Sequence, residues 1–282
     1  MVLAAAVLLA LTPATASATS LPTGVKPALA DAASDIEVIS TNGCRVPLAR
    51  TAVRTDCKYG DPYGTKKVAL VGDSHAAHLF QPLHALAKAR HWKLNIQIKI
   101  SCRFVDLPIV SRELDRRYTE CEQWRLNVVD YLQSHPQDMV IFVVARGMAV
   151  LPDRPQDDDP AAQGHALARL MAQIPGKHVV IVDTPTSYFD VPACLKDHRA
   201  NIEACATDRP LALSWRYLTL EQTAVADDPG ATLINLTNKI CPPADYCQAV
   251  LNGYIVWRDF HHLTKTFART LMTALGNRLP AP

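Results

Sequence analysis

Three side chains of this sequence have the types and the order needed for nucleophilic catalysis. Ser74 follows a Gly-Asp pair that closes an apolar, β-branched run at 68–71, and near the other end of the chain Asp259 and His262 lie three residues apart. The first segment is typical of a buried strand, a tight turn and the start of a helix. That turn would place the Ser74 hydroxyl at the carboxyl end of a sheet, where open α/β folds bind their ligands.

The chemistry that these residues could perform is covalent acyl transfer. A neutral serine is a poor nucleophile, so it needs a base within hydrogen-bond reach, and the base needs a partner that fixes its tautomer. The spacing puts the Asp259 carboxylate and the His262 imidazole one turn apart in one loop, so we assign His262 as the base and Asp259 as its partner. For His261, a ligand role in an acceptor site and a plain loop role both stay open.

Alternating elements must position these groups. The predicted strands are 67–71, 94–100, 139–145, 178–183 and 232–236, and the predicted helices are 76–90, 118–134, 161–174, 209–226 and 265–278. Apolar strands separated by helices predict an α/β fold: a three-layer α/β/α sandwich with a mostly parallel sheet of about five strands.

Further motifs occur in a fixed order along the chain: Asp56-Cys57-Lys58-Tyr59-Gly60-Asp61, Val71-Gly72-Asp73-Ser74-His75-Ala76, Lys99-Ile100-Ser101-Cys102 and Arg258-Asp259-Phe260-His261-His262-Leu263-Thr264. With this ordered set, roughly Cys44 to Leu275 resembles the SGNH (GDSL-like) hydrolase and acyltransferase superfamily. More narrowly, it is similar to the SGNH domain fused to acyltransferase family 3 membrane proteins. The resemblance implies a flavodoxin-like fold and O-acylation of a cell-surface glycan or glycolipid.

The chain departs from the family pattern at the oxyanion hole. SGNH hydrolases usually use a glycine amide and an asparagine side chain there, but the corresponding segments read Lys-Ile-Ser-Cys at 99–102 and Val-Val-Ala-Arg-Gly at 143–147. We therefore expect the Ser74 amide to hold the oxyanion, with the Ser101 amide and the Arg146 side chain as candidates for the other donors.

Eight cysteines group into four close pairs, and pairing of sequence neighbours is the natural prediction: Cys44-Cys57, Cys102-Cys121, Cys194-Cys205 and Cys241-Cys247. Metal binding is the alternative, but no Cys-x-x-Cys or Cys-and-His cluster has the spacing of a zinc site. Disulfides indicate an oxidising compartment outside the cytoplasm.

Composition favours one globular catalytic domain, which we place at 37–282. Of 282 residues, 49% are hydrophobic, enough for a single core. The net charge of +2 argues against a surface for nucleic acid. Arg112, Arg116 and Arg117 lie close together, and both a solvated helix face and an anionic acceptor site fit this cluster.

The N-terminus has two interpretations. Residues 1–18 combine a short apolar run with a stretch of small residues suited to signal peptidase, but they contain no Lys or Arg, so they also fit the end of a transmembrane helix in a longer membrane acyltransferase. Both interpretations put the domain outside the cytoplasmic membrane. Residues 19–36, rich in Ala, Pro and Ser, are predicted to be a linker.

The sequence therefore predicts a serine-dependent O-acyltransferase, most simply an O-acetyltransferase, that acts on a carbohydrate through an acyl-serine intermediate. The alternatives are a secreted carbohydrate esterase that uses the same residues, and a catalytically idle glycan-binding domain. The partners expected are an acyl donor, a carbohydrate acceptor and a separate or fused acyltransferase family 3 membrane protein. The chemistry needs no cofactor and no metal.

Overall fold

The structure is a computed structural model that describes residues 19–146, 158–214 and 216–282. In this part of the chain, the central sheet is formed by seven strands: β1 Arg45–Val46, β2 Lys58–Gly60, β3 Lys66–Gly72, β4 Trp92–Lys99, β5 Met139–Val143, β6 Lys177–Ile181 and β7 Thr232–Ile234.

The sheet is almost entirely parallel. Its order is β1-β4-β3-β5-β6-β7, and β2 lies antiparallel beside the amino-terminal half of β4. Strand β1 pairs with the other end of β4, at Ile98 and Lys99. Because β3 lies in the middle of the sheet, its carboxyl end opens between those of β4 and β5.

Helices cover both faces of this sheet: α1 Ser74–His78, α2 Phe80–Ala89, α3 Thr119–Ser134, α4 Pro160–Met171, α5 Val191–Asp197, α6 Arg209–Leu213, α7 Thr219–Asp227, α8 Thr237–Ile240, α9 Lys265–Arg269 and α10 Met272–Gly276. Short two-stranded pairs join 110–111 to 116–117, 207–208 to 246–247 and 250–251 to 254–255. The 3-10 helices described are Leu29–Ser34, Val38–Ser40 and Ile202–Cys205.

Alternate residues of β3 enter opposite cores. Val68 and Leu70 pack with α2 and the C-terminal helices, whereas Ala69 and Val71 pack with α3, α4 and α7. All four side chains are buried, as expected for a parallel strand covered on both faces. The predicted three-layer α/β/α fold with a mostly parallel sheet is confirmed.

The five predicted strands are all present as β3 to β7. The sequence missed β1 and β2, which contain two and three residues. They lack an apolar run of the kind that marks the other five strands.

Three predicted helices are each divided in two. The helix predicted at 76–90 is interrupted at Leu79, ahead of Pro82, whose ring nitrogen cannot donate a helical hydrogen bond. The one predicted at 209–226 is broken where Ser214 and Leu218 adopt positive φ values of 59° and 68°. The C-terminal one is divided into α9 and α10.

The eight cysteines form four disulfides, Cys44–Cys57, Cys102–Cys121, Cys194–Cys205 and Cys241–Cys247. Each joins cysteines between 6 and 19 residues apart, so each closes one local loop. The structure therefore has the sequential pairing that the spacing predicts.

The segment 19–36, predicted to be a linker, packs against the domain. Val25 and Ala32 are buried in the core, the Lys26 amide donates to Gly253 O, and the Asp35 carbonyl accepts from the Lys265 amide. Two apolar side chains and a set of main-chain hydrogen bonds outweigh the linker-like composition. The predicted signal peptide or transmembrane remnant at 1–18 lies outside the described residues. Among the residues that are described, no helix has the length and apolar character to cross a membrane.

Gly72, the last residue of β3, lies against the neighbouring strand. A Cβ atom at this position would approach Val143 O to 2.1 Å and the Ala76 Cβ to 2.8 Å. Only glycine therefore lets the turn before Ser74 pass so close to β5.

We expect Gly72→Ala to lower the free energy of unfolding by about 3 kcal/mol, because backbone must move to remove the overlap. The measurement is urea unfolding followed by circular dichroism. Gly230→Ala is the matched control, since its nearest neighbour would be an Asp228 oxygen at 3.6 Å. Equal stability of the two variants would contradict the close approach.

Candidate active site

Ser74 is the first residue of α1, directly after the turn that ends β3. Asp73 is the N-cap of this helix, and its Oδ1 accepts a hydrogen bond from the His75 amide at 2.8 Å. The other oxygen, Oδ2, accepts from the Ala145 amide at 2.9 Å, beyond the end of β5. Asp73 thus fixes the serine turn both to its own helix and to the neighbouring strand.

The C-terminal loop brings Asp259 and His262 to this turn. Asp259 Oδ1 accepts hydrogen bonds from the His261 amide at 2.9 Å and the His262 amide at 2.7 Å. The carboxylate therefore stabilises the conformation of its own loop. Trp257 and Leu263 form a bridge that closes the loop, and the buried Trp257 indole donates to Pro185 O at 2.9 Å. The loop is therefore anchored to the core.

Ser74, His262 and Asp259 form one hydrogen-bonded row. His262 Nε2 lies 3.0 Å from Ser74 Oγ, and His262 Nδ1 lies 2.8 Å from Asp259 Oδ2. Ser74 and His262 are 188 residues apart in sequence. This is the geometry that a nucleophile, a base and an orienting carboxylate require.

The surroundings keep the imidazole neutral and the carboxylate ionised. Burial lowers the pKa of His262 below its ordinary value, the Asp259 hydrogen bond opposes this shift, and His75 adds to it. Burial would raise the pKa of Asp259, but the hydrogen bond with His262 and the two loop amides hold it well below its usual range. His262 is therefore free to accept a proton from Ser74 at neutral pH.

A cavity of about 540 Å³ opens beside the serine. Its lining includes Ser74, Ser101, Arg112, Arg146 and His261. Its volume lies within the ordinary range of small-molecule sites. A larger cavity of about 740 Å³ lies around Lys58, Lys67 and Lys93, near the amino ends of the strands, and contains none of the three residues of the row.

Two of the three oxyanion candidates retain free amides at this cavity. Within the described residues, neither the Ser74 amide nor the Ser101 amide donates a hydrogen bond to another group. Ser101 has a positive φ of 50°, and its hydroxyl donates to Glu113 Oε1 at 2.5 Å. Both amides are therefore available to an oxygen atom of a bound substrate.

The Arg146 guanidinium is already engaged. It donates to Leu213 O at 3.0 Å, to Asp183 O at 2.8 Å and, through Nε, to Asp183 Oδ2 at 3.4 Å. These contacts turn the guanidinium towards the loop after β6. The structure gives the Arg146 side chain a role in holding Asp183 and offers little support for it as an oxyanion donor.

A second row of polar groups, which the sequence reasoning did not assemble, meets the first. His75 Nδ1 lies 2.5 Å from Asp183 Oδ1, and His75 Nε2 lies 2.8 Å from His261 Nδ1. In the sequence, Asp183 is only the last residue of the strand predicted at 178–183. An acidic residue at the carboxyl end of a parallel strand is the signal that could have identified it.

In the described part of the chain, one group of side chains has the geometry to hold a metal ion. His75, His261 and His262 place their ligand atoms within 4.8 Å of one another. Most of their ring nitrogens already have partners, however, since His75 Nε2 bonds to His261 Nδ1 and His262 Nε2 bonds to Ser74. His261 Nε2 has no partner among the described residues. The cluster is accounted for by hydrogen bonding between these groups.

Residues 43–276 match a family model, that of the SGNH domain (fused to AT3 domains). The chain belongs to this family. A comparison with curated proteins gives no match. The serine turn and the C-terminal Asp-x-x-His segment both lie inside the matched region of this SGNH domain.

A solved structure shares this fold. The chain is similar to the periplasmic domain of a lipopolysaccharide acetyltransferase of Salmonella ser. Paratyphi A, with 17% identity and a TM-score of 0.62, over 89% of this chain and 97% of that one. It also aligns with a protein assigned as an SGNH hydrolase from Slackia heliotrinireducens, with 13% identity over 76% of this chain and 99% of that one. The TM-score of this second alignment is 0.42.

We expect a fluorophosphonate probe to label Ser74 at a rate that rises with pH, with a midpoint below the ordinary histidine value of 6.5, because His262 must be neutral to take the proton. Asp259→Asn removes the charge that raises this pKa, so the midpoint should move to still lower pH. The plateau rate should fall about 10³-fold or more, because the carboxylate no longer fixes the tautomer.

The measurement is labelling followed by intact-mass spectrometry. Ser74→Ala should take up no probe, whereas Ser111→Ala, which removes another serine of the same cavity, should be labelled like the unchanged protein. A midpoint that does not move in Asp259→Asn would contradict the contact between Asp259 and His262.

Proposed function

We propose that this SGNH domain is a serine-dependent O-acyltransferase that moves an acyl group, most simply acetyl, to a hydroxyl of a cell-surface glycan or glycolipid. The observation that carries the proposal is the 3.0 Å contact of Ser74 Oγ with His262 Nε2, backed by Asp259. A loop near the C-terminus that brings an oriented, neutral imidazole to a serine at a helix start is the arrangement that covalent acyl transfer requires.

The first half-reaction forms an acyl-serine. Ser74 Oγ attacks the donor carbonyl and its proton passes to His262 Nε2, while Asp259 stabilises the imidazolium. The amides of Ser74 and Ser101 are the proposed donors to the negatively charged oxygen of the tetrahedral intermediate. As the intermediate collapses, His262 returns the proton to the leaving group and the acyl group stays on Ser74.

The second half-reaction repeats these steps with the acceptor. A carbohydrate hydroxyl gives its proton to His262 and attacks the acyl carbonyl, after which Ser74 leaves and recovers its proton from His262. Water in place of the hydroxyl would make the same site an esterase. A family described by its fusion to AT3 domains, and a structural neighbour named as a lipopolysaccharide acetyltransferase domain, support the transferase.

The setting agrees with extracytoplasmic chemistry. Four disulfides support folding in an oxidising compartment. We propose an acyltransferase family 3 membrane protein, fused or separate, as the source of the acyl group, because the family description names this pairing.

We expect the unchanged protein to transfer acetyl from an activated ester such as p-nitrophenyl acetate to a glycan acceptor, and Ser74→Ala and His262→Ala to lose at least about 10³-fold of this activity, because the covalent route needs both groups. The measurement is mass spectrometry of the glycan beside release of nitrophenol. Ser111→Ala serves as the control.

Each result has a distinct meaning. Acetylated glycan that depends on Ser74 supports the transferase. Ester hydrolysis that no acceptor changes would replace the transferase with an esterase. Glycan binding without turnover or covalent labelling would replace both with a binding module. Loss of activity in a chelator would contradict the metal-free mechanism.

The cavity also favours an anionic acceptor. Arg112 is exposed at its lining, whereas Arg116 and Arg117 are paired with Glu120 and Glu122. A guanidinium at the rim suits a carboxylate or phosphate on the glycan.

We expect Arg112→Gln to raise KM about 5- to 10-fold for an acceptor that carries a carboxylate or phosphate, since one charge-assisted hydrogen bond is lost. The KM for a neutral acceptor should stay unchanged. Steady-state kinetics at two salt concentrations would measure both. The control is Arg116→Gln, whose guanidinium is held by Glu120 at 2.6 Å. An equal change for charged and neutral acceptors would contradict an ionic contact.

A further inference from the structure

The second polar row runs from the sheet to the cavity. Its first member, Asp183, follows β6, its middle member, His75, lies on α1, and its last member, His261, lines the cavity beside Ser74. The side chains of Asp183 and His75 are only 2% and 4% exposed. The His261 ring lies 3.8 Å from the His262 ring, measured between centroids. The row therefore ends next to the proposed base.

Asp183 is held as an ionised carboxylate. In addition to the contact with His75, its Oδ1 accepts a hydrogen bond from the Thr184 amide at 2.7 Å, and its Oδ2 accepts one from the Arg146 amide at 2.8 Å. Burial would raise its pKa, but His75 and Arg146 lower it to about 2. Such a carboxylate accepts hydrogen bonds and has no proton to give.

The charge on His75 is set by groups from several elements. Burial would lower its pKa, but the carboxylates of Asp183 and Asp73 outweigh burial and the opposing charge of Arg146, so the pKa lies above its ordinary value. The titratable groups that face the ring are Asp73 in the preceding turn, Asp183 after β6, Arg146 after β5, His78 on the same helix, and His261 and His262 in the C-terminal loop.

The neighbouring imidazoles remain neutral. Burial and the charge of His75 lower the pKa of His261 to about 3, and the same causes bring the pKa of the fully buried His78 well below its ordinary value. Among these imidazoles, His75 is therefore the one that carries a positive charge, and it lies between the side chains of Asp183 and Asp73.

The proton positions follow from this charge. A protonated His75 donates Nδ1–H to Asp183 and Nε2–H to His261 Nδ1. A neutral His261 that accepts at Nδ1 must carry its own proton on Nε2, the nitrogen for which the described residues offer no hydrogen-bond partner. A neutral His75 would reverse this, since its Nε2 would accept from His261 Nδ1–H and leave His261 Nε2 without a proton.

We propose that His261 donates its Nε2–H to the substrate oxygen that becomes negatively charged when Ser74 attacks, and that Asp183 and His75 are positioning residues that fix His261 in this tautomer. The inference rests on the proposed function, because an oxyanion forms only if Ser74 is a nucleophile. His261 would be the side-chain donor of the oxyanion hole, beside the Ser74 and Ser101 amides. The Arg146 guanidinium is poorly placed for this role.

The first test reads the tautomer without any reaction. Long-range ¹H–¹⁵N NMR of the full chain labelled at histidine, near pH 7, should find both ring nitrogens of His75 protonated. His261 should carry its proton on Nε2 only. The signals are assigned with His75→Gln and His261→Gln variants. A His261 proton on Nδ1, or a neutral His75, would overturn the proposal, and this result needs no variant of Asp183 to fold.

The second test separates donation of a hydrogen bond from shape. His261→Leu should lower kcat for acyl-serine formation about 10²- to 10³-fold, the usual cost of one oxyanion donor, with little change in KM. His261→Gln keeps an amide N–H near the position of Nε2 and should recover at least about a tenth of the lost rate. Equal losses in both variants, or a raised KM with unchanged kcat, would overturn the proposal.

The third test is the pH profile of Asp183→Asn. In the unchanged protein, activity should fall on the alkaline side, as His75 loses its proton above 6.5. Without the Asp183 charge, this limb should move to lower pH. Asp228→Asn is the matched control, because Asp228 lies 2.5 Å from His178 Nδ1 in a similar pair away from Ser74. An unmoved alkaline limb would overturn the proposal.

Failure of the proposed acyltransferase function gives results that differ from failure of the His261 inference alone. If Ser74 is not labelled by the fluorophosphonate, the proposed function fails whatever tautomer the NMR finds. If Ser74 is labelled and turns over while His261 carries its proton on Nδ1, only the present inference fails.

Discussion

The site depends on one buried carboxylate, that of Asp73. Its side chain has no solvent exposure, and each of its oxygens accepts an amide from a different segment, His75 on α1 and Ala145 beyond β5. A carboxylate without such partners would be very costly to bury. The two hydrogen bonds offset part of that cost, since burial still raises the pKa of Asp73 above its ordinary value. At the same time they fix the direction in which Ser74 leaves the sheet.

The C-terminal loop is organised by the same device. Asp259 accepts two amides of its own loop and the His262 ring, so one carboxylate sets both the backbone and the imidazole. The Phe260 carbonyl accepts the amides of Ser187 and Tyr188, which attaches the loop to the segment after β6. The position of the imidazole thus follows from the sheet through main-chain contacts.

The carboxyl edge of the sheet concentrates charge in a small volume. Two carboxylate–imidazole pairs meet there, one from Asp259 and His262 and the other from Asp183 and His75. The positive charge on His75 lowers the proton affinity of His262 as well as that of His261. The second pair therefore helps to keep the first in the neutral form that can accept the serine proton, so the two rows are electrostatically coupled.

Local features of this protein could be predicted from its sequence. The apolar run before Gly72 predicts a buried strand. The spacing of Asp259 and His262 predicts a loop in which the carboxylate reaches the imidazole one turn later. Sequential disulfides are local in the same sense, since each closes a loop of at most 19 residues. The five strands with apolar runs and the helical segments between them could therefore be predicted, whereas β1 and β2 could not.

The second row was decided by tertiary structure alone. His75 lies 108 residues from Asp183 and 186 from His261, and no periodicity or spacing relates positions so far apart. They meet because strand order in the packed sheet brings the end of β6 next to that of β5 and, one strand further, to the turn after β3. The contacts of the Arg146 guanidinium could not be predicted from the sequence for the same reason. Its partners, Asp183 and Leu213, become its neighbours only when the elements pack together. The sequence by itself determined which groups could react, and the order of the strands, fixed by burial of both faces of the sheet, decided which of them touch.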